Sequence, residues 1–365
     1  MSFTNKKKKV LFVGSFAKAG KDGSVGGQMF ASKSLINSKI NDIVDWILID
    51  TTASTNLKIN FSTRTAKALK RILLFIYYCC TQKIDIALIF TGDGYSFKEK
   101  GLMALIAKCF SAKVILAPRS GLIKKNLEED YFLSKFMKYV FGKVDVLLCQ
   151  GESWKEIFKK QNVPEEKLKV VQNWIDVSLY EKANPGSDKI KILFLAWVNK
   201  NKGIIELVEA VNELKDRYCF ELIIAGEGEE SGLIKSMISK NKLHNIVTFL
   251  GWVSGEKKYD LLRNTDIFIL PSHYEGFPNA LLEAMSSGIA CISTNVGAVP
   301  DIIVHGYNGL IIPVNDKNGI VLSLSDLIVN KNKRTMLGVN GRQTVLENNS
   351  IVSAVSKLNQ IIKSL

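Results

Sequence analysis

The chain has 365 residues, with 49 Lys and Arg against 35 Asp and Glu, a formal net charge of +14. A content of 47% hydrophobic and 23% charged residues excludes a disordered or fibrous polypeptide, and the length fits two domains. The positive surplus calls for an anionic partner: nucleic acid, a phosphorylated small molecule, or an anionic membrane surface.

At the start, Lys6–Lys9 and the apolar run after them resemble a secretory signal. Gly14 and Ser15 break that run early, so a first β-strand is the expectation. Strands are predicted at 10–13, 46–49, 86–90, 114–117 and 146–149. A second series follows at 192–196, 220–225, 247–250, 267–270, 290–293 and 310–312. These Val- and Ile-rich runs lack polar alternation, as strands covered on both faces do. Their alternation with helical patterns, twice over, predicts an α/β chain of two doubly wound parallel-sheet, Rossmann-like domains. The turn-rich stretch EKANPGSDK at 181–189 marks the break, giving domains at 1–182 and 183–349 before a terminal helix. The longest apolar stretch, Ile72–Cys80, is far short of a membrane span, so no transmembrane helix is expected. Six cysteines without C-x-x-C spacing read as reduced, buried thiols of a cytoplasmic protein, and three scattered histidines predict no metal site.

Ligands of such sheets bind beyond the carboxyl ends of the strands, so the loops there hold the candidate site. After the first strand come Gly14, Gly20, Gly23, Gly26 and Gly27, where backbone amides at a helix start suit a phosphate. The spacing fits neither a dinucleotide fingerprint nor a P-loop, and a plain surface turn fits equally. Asn199–Gly203 (NKNKG) follows the strand at 192–196 and offers Lys200 and Lys202 to a diphosphate, or to solvent. The segment LPSHYEGFPNALLEAM at 270–285 is richer. Glu275 precedes a helix start at Pro278, and Glu283 lies eight positions further on. Amides of Gly276, Phe277 and Asn279 are expected to be free for phosphate or sugar oxygens. Glu283 sits among Leu281, Leu282, Ala284 and Met285, where an ionised carboxylate needs a partner that two ligand hydroxyls supply. A solvated helix face for Glu283 and a local cap for Glu275 fit the spacing as well.

Glu275 and Glu283 resemble the E-x7-E motif of retaining glycosyltransferases of the GT-B fold, glycosyltransferase family 4. The likeness takes in 267–316, the N-terminal glycine pair, NWID at 173–176, Lys202–Gly203 and GEGE at 226–229. It implies two Rossmann-like domains facing across a cleft, with the N-terminal domain taking the acceptor and the helix of 350–365 packing back on it. It implies that Glu283 binds the ribose of a nucleotide sugar. Glu275, with Gly276, Phe277 and Asn279, would hold the donor sugar. Lys202, aided by Gly26, Gly27, Ala280 and Leu281, would neutralise the departing diphosphate. Base contacts are implied near Gly251 and Val253. Two positions depart from the family: Trp197 stands where an Arg is usual, leaving Lys200 as a substitute, and an acceptor-side His is replaced by Pro118–Arg119–Ser120–Gly121, which makes Arg119 a candidate catalytic residue. Retention without a nucleophile implies front-side attack, with no metal and no cofactor beyond the nucleoside diphosphate sugar itself.

The function implied is transfer of a hexose or N-acetylhexosamine, from a UDP-sugar first and a GDP-sugar next. The acceptor would be a growing bacterial surface polysaccharide, such as O-antigen or capsule, or a lipid-linked oligosaccharide. The basic run Arg64, Lys67, Lys70, Arg71 before 72–80, with Lys124, Lys125, Lys135 and Lys138, fits either a core helix whose charged edge is solvated or a peripheral seat on the anionic inner face of the cytoplasmic membrane, which the resemblance favours. A GT-B nucleotide-sugar epimerase is the alternative enzyme. A basic nucleic-acid-binding protein is the alternative class, although no nucleic-acid motif occurs and no nucleic-acid partner is expected.

Overall fold

A computed structural model describes residues 7–17, 27–52, 60–180 and 189–365. Gly20, Gly23, Gly26 and positions 181–188 of the expected break lie outside the described residues. The chain divides into two compact units: Met1–Asn173 with Ile351–Leu365, and Trp174–Ser350.

Unit 1 runs β1 (Lys8–Gly14), α1 (Gly27–Ile36), β2 (Val44–Asp50), α2 (Phe61–Thr81), β3 (Ile86–Thr91), α3 (Gly94–Cys109) and β4 (Lys113–Pro118). It continues through α4 (Leu122–Glu129), α5 (Tyr131–Lys143), β5 (Val146–Cys149), α6 (Glu152–Lys159) and β6 (Leu168–Val170). The strands form one parallel sheet ordered β2-β1-β3-β4-β5-β6. Val10–Val13 and all of β3 are buried, as a sheet covered on both faces requires.

Unit 2 runs β7 (Ile190–Leu195), α7 (Ile204–Leu214), β8 (Phe220–Ala225), α8 (Ser231–Lys240), β9 (Val247–Gly251), α9 (Glu256–Arg263), β10 (Ile267–Leu270) and α10 (Asn279–Ser286). Then come β11 (Ala290–Thr294), β12 (Leu310–Ile312), α11 (Lys317–Val329) and α12 (Lys331–Asn348). Its sheet is also parallel, ordered β12-β11-β10-β7-β8-β9. A last helix, α13 (Ile351–Ser364), belongs to unit 1, where Lys8 Nζ donates to the Ile362 carbonyl at 2.8 Å.

Two details differ from the sequence reading. Leu168–Val170 forms an edge strand of three residues, too short for its hydrophobic pattern to register. The cysteines are not uniformly buried: Cys79, Cys149 and Cys291 are, while Cys80, Cys109 and Cys219 are exposed. Apolar neighbours in sequence do not fix which side of a helix or strand end a residue occupies.

Asp145 staples β4 to the start of β5, accepting from Lys108 Nζ at 2.7 Å, Lys113 Nζ at 3.3 Å and the Val114 amide at 2.8 Å. Burial raises its pKa, but the bonds from Lys108 and Val114 outweigh this and hold the carboxyl below the usual 3.8. A carboxylate depressed in the folded state adds stability above its unfolded pKa and loses it as pH falls through the folded one. Asp145→Asn is therefore expected to cost about 1 kcal/mol at pH 7. In thermal unfolding, the gap to wild type should shrink on acidification below 3.8.

Candidate functional site

Strand order reverses direction between β10 and β7 in unit 2, which pair in register from Ile267 with Ile192. The loops leaving these two neighbours therefore emerge side by side, at the position where open α/β sheets take their ligands. The loop after β7 is Ala196–Gly203, closed by one turn of 3-10 helix at Lys200–Lys202. The loop after β10 is Pro271–Pro278, which leads into α10.

Across them, Lys202 Nζ donates to Glu275 Oε1 at 2.6 Å. Ser272 Oγ donates to the same oxygen at 2.7 Å. The Glu275 side chain is only 9% exposed, so the pair is shielded and stronger than a surface ion pair. Beside it, His273 Nε2 lies 3.1 Å from Glu206 Oε1, and the His273 amide donates to the Asn201 carbonyl at 2.8 Å. These bonds tie the second loop to the first.

Eight residues beyond Glu275, the Glu283 carboxylate on α10 accepts from Lys258 Nζ of α9 at 2.8 Å. It also takes a hydrogen bond from the Tyr180 hydroxyl. Burial pushes that hydroxyl well above its usual value and the Glu283 charge adds to the effect, so Tyr180 stays a donor. The sequence reading offered Glu283 either ligand hydroxyls or a solvated helix face. The chain itself provides an ammonium and a phenol.

The other expected residues fall as follows. Lys200 is 73% exposed and 3.9 Å from Glu230, so it does not join the Lys202–Glu275 pair. Trp197 is exposed and packs against Trp252, ring centroids 5.1 Å apart. Gly251 ends β9 at φ +73°, with Val253 half-buried just beyond it. Gly276, Phe277 and Asn279, expected to offer amides to a ligand, lie at the end of the loop after β10 and the start of α10, and each has an interaction within the chain. The Leu281 amide, likewise expected to face a phosphate, donates to the Pro278 carbonyl at 3.2 Å, and Ala280 precedes it in the first turn of α10.

In unit 1, Gly27 opens α1. Asp50 accepts from the Phe16 amide at 2.8 Å and from Thr52 Oγ1 at 2.6 Å, fixing the start of the loop after β1. Arg119 follows β4; its Nη2 donates to Asn173 Oδ1 at 2.6 Å and its guanidinium lies 4.5 Å from the centre of the Phe90 ring. Burial pushes the guanidinium down to about 9, so it remains charged at neutral pH. Gln150 donates to the same Asn173 oxygen at 3.0 Å, while its own Oε1 is buried without a hydrogen-bond partner. Among the described residues, no group of three His, Cys, Asp or Glu is arranged to hold a metal ion.

Lys258, Tyr180 and Ser272 were not anticipated. Lys258 is one of two adjacent lysines on a polar helix, and nothing local separates the one that faces Glu283. Ser272, three residues before Glu275 and directly after a strand, carried a usable signal: a short hydroxyl side chain within a turn of a carboxylate.

Residues 179–344 match the family model described as glycosyl transferases group 1. Over 303 residues the chain is 25% identical to the uncharacterized glycosyltransferase MJ1069 of Methanocaldococcus jannaschii, covering 78% of this chain and 76% of that protein. It is 26% identical over 197 residues to the putative colanic acid biosynthesis glycosyltransferase WcaL of Salmonella typhimurium, 51% of this chain and 48% of the relative. Among solved structures, Anabaena Alr3699/HepE in complex with UDP superposes with a TM-score of 0.74 at 15% identity, over 98% of this chain and all of that one. The fold is thus the two-domain α/β GT-B architecture, and the sequence relatives are glycosyltransferases, some in polysaccharide biosynthesis.

Proposed function

We propose that the chain is a retaining, metal-independent glycosyltransferase that moves a hexose or N-acetylhexosamine from a UDP-sugar to a bacterial surface polysaccharide or its lipid-linked precursor. The observation that carries this reading is the Lys202–Glu275 pair at the switch point of unit 2, with Glu283 eight residues further on, one turn into α10. The UDP bound by the structural neighbour, and the polysaccharide assignments of relatives, support the donor and acceptor classes.

In this reading Glu283, positioned by its hydrogen bonds from Lys258 and Tyr180, accepts the two ribose hydroxyls of the donor. Glu275 takes hydroxyls of the donor sugar on the carboxylate that Ser272 and Lys202 orient. As the glycosidic bond breaks, negative charge grows on the β-phosphate, and the Lys202 ammonium stabilises it. The incoming hydroxyl attacks from the same face, its proton passing to an oxygen of the leaving phosphate. Lys200 and the Gly26–Gly27 amides assist at the diphosphate, Gly251 and Val253 meet the base, and Arg119 acts on the acceptor side. No cofactor beyond the donor is assigned. No described helix is long and apolar enough to cross a membrane, and a peripheral seat on the anionic inner face of the cytoplasmic membrane suits a lipid-linked acceptor.

The test is a thermal-shift panel of UDP, GDP, ADP and CMP on wild type and Glu283→Ala. At 100 times its dissociation constant, UDP should stabilise wild type by about 2.7 kcal/mol. The variant should lose most of that shift. No response of wild type to any of the four nucleotides would overturn the donor assignment.

A further inference from the structure

The carboxyl ends of β3, β4, β5 and β6 lie side by side, because these four strands are neighbours in the parallel sheet of unit 1. Phe90 comes from β3 itself, while Arg119 follows β4, Gln150 follows β5 and Asn173 follows β6. Sequence keeps the four far apart, and the sheet brings them together. Asn173 Oδ1 accepts from Arg119 Nη2 at 2.6 Å and from Gln150 Nε2 at 3.0 Å. The Arg119 amide donates to the Thr91 carbonyl at 2.8 Å, which anchors its backbone to the end of β3.

Both amide orientations follow from the arginine. A guanidinium only donates, so Asn173 must turn its oxygen towards it and not its NH2. The same oxygen faces Gln150, so Gln150 must present its own NH2 in turn. Turning Asn173 over would set donor against donor, and turning Gln150 over would set Oε1 against Oδ1. Gln150 Oε1 is thereby aimed away from the network. Among the described residues it is buried there without a hydrogen-bond partner, on a residue only 4% exposed. A buried acceptor in that state lowers stability. Methionine, of similar length and volume, would fill the space without that cost. Stability alone therefore does not account for a glutamine at 150.

What the glutamine supplies is a second donor to Asn173. The terminal torsion of an asparagine is broad, and two donors on the two lone pairs of one oxygen narrow it. The Asn173 amide in turn aims the guanidinium that it holds, while the Phe90 ring backs the same group at 4.5 Å. We infer that Gln150 and Asn173 are positioning residues for Arg119. They fix its guanidinium at one angle beyond the strand ends, so that it meets the acceptor without reorganising. The inference rests on the acceptor-side role proposed for Arg119 and adds the two side chains through which that role is set.

Gln150→Met in the full chain tests it. The melting temperature should match wild type or exceed it by up to about 4 °C, since the partnerless acceptor is gone and Asn173 keeps its bond to Arg119. The NMR order parameter of the Arg119 Nε–H should fall, towards the flexible range below about 0.6. With UDP-glucose as donor and an octyl glucoside as acceptor, kcat/KM for the acceptor should fall by about 10- to 100-fold. The UDP-induced thermal shift should stay as in wild type. In a double-mutant cycle, Gln150→Met should cost less than about twofold once Arg119→Met is present, because both act through one group. A merely structural Gln150 gives the opposite pattern: a lower melting temperature, an Arg119 as rigid as before, and losses that multiply in the double variant. That pattern overturns the inference. Impaired transfer in Arg119→Met beside wild-type transfer in Gln150→Met overturns it too, and leaves the role of Arg119 standing. If wild type transfers nothing to the octyl glucoside, that result bears on the proposed function, while the order parameter and the melting temperature still decide the positioning.

Discussion

Lys202→Met is expected to lower kcat by about 100- to 1,000-fold, the cost of removing one preorganised donor from a developing anion. Methionine keeps the length and apolar stem of the lysine, so the loop after β7 retains its packing and only the charge is lost. The donor KM should change far less than kcat, because an interaction that strengthens as charge develops acts mainly on the barrier. Lys202 is held by Glu275 at 2.6 Å, and Glu275 by Ser272 at 2.7 Å. The ammonium is thus fixed in place before a diphosphate arrives, which avoids reorganisation at the moment of reaction. Lys202→Arg should recover part of the rate, since it keeps the charge but exchanges a point donor for a wider planar fork. Lys200→Met should lose much less, because Lys200 is 73% exposed and stands apart from the pair. Steady-state kinetics with a UDP-sugar decides the matter. A kcat within threefold of wild type for Lys202→Met would remove Lys202 from the proposed chemistry.

The architecture was legible because it rests on patterns that local sequence carries well. Buried parallel strands announce themselves as unbroken runs of Val, Ile and Leu, and 290–293 or 310–312 could be placed nearly to the residue. Leu168–Val170 escaped because three residues at a sheet edge show no period. For the candidate site, Lys202 and Glu275 stood out because each lies in a loop that follows a strand, and Glu283 because it is a carboxylate among apolar residues eight positions beyond Glu275. Their partners did not. Lys258 lies 25 positions from Glu283, on a helix with two lysines in a row, and only the packing of α9 on the unit decides which one faces the carboxylate. Tyr180 precedes β7 altogether. Backbone availability was also beyond the sequence. An amide near a helix start reads as a donor to a ligand, yet the Leu281 amide is taken by Pro278, a bond set by how the chain turns into α10.

Gly203→Ala should destabilise unit 2 by about 3 kcal/mol and displace the loop after β10. Gly203 joins the Lys200–Lys202 turn to α7 at φ +66°, a left-handed conformation that costs an L-residue about 1–2 kcal/mol. A Cβ there would also run into the Pro271 carbonyl, and backbone cannot swing aside as a flexible side chain does. Displacing it adds about 1–3 kcal/mol. For a domain of this size each kcal/mol moves the melting temperature by about 2–4 °C, so a fall of roughly 6–12 °C is expected. The position of the clash gives the substitution a functional edge. Pro271 begins the loop that carries Ser272, His273 and Glu275, and Gly297, at φ +55°, leaves equally little room against the Glu275 carbonyl on the far side. Two glycines thus let the neighbouring chain close on both flanks of that loop and hold Glu275 within reach of Lys202. Gly203→Ala should therefore reduce kcat even at temperatures where the variant is folded. Gly232→Ala is the control: it lies in α8 with open space around it and an ordinary φ, and alanine there should stabilise by up to about 1 kcal/mol. Differential scanning calorimetry paired with initial rates reads both effects. A Gly203→Ala protein melting with wild type would mean that the loop after β10 yields to the added methyl, and that Glu275 is placed by Ser272 and Lys202 alone.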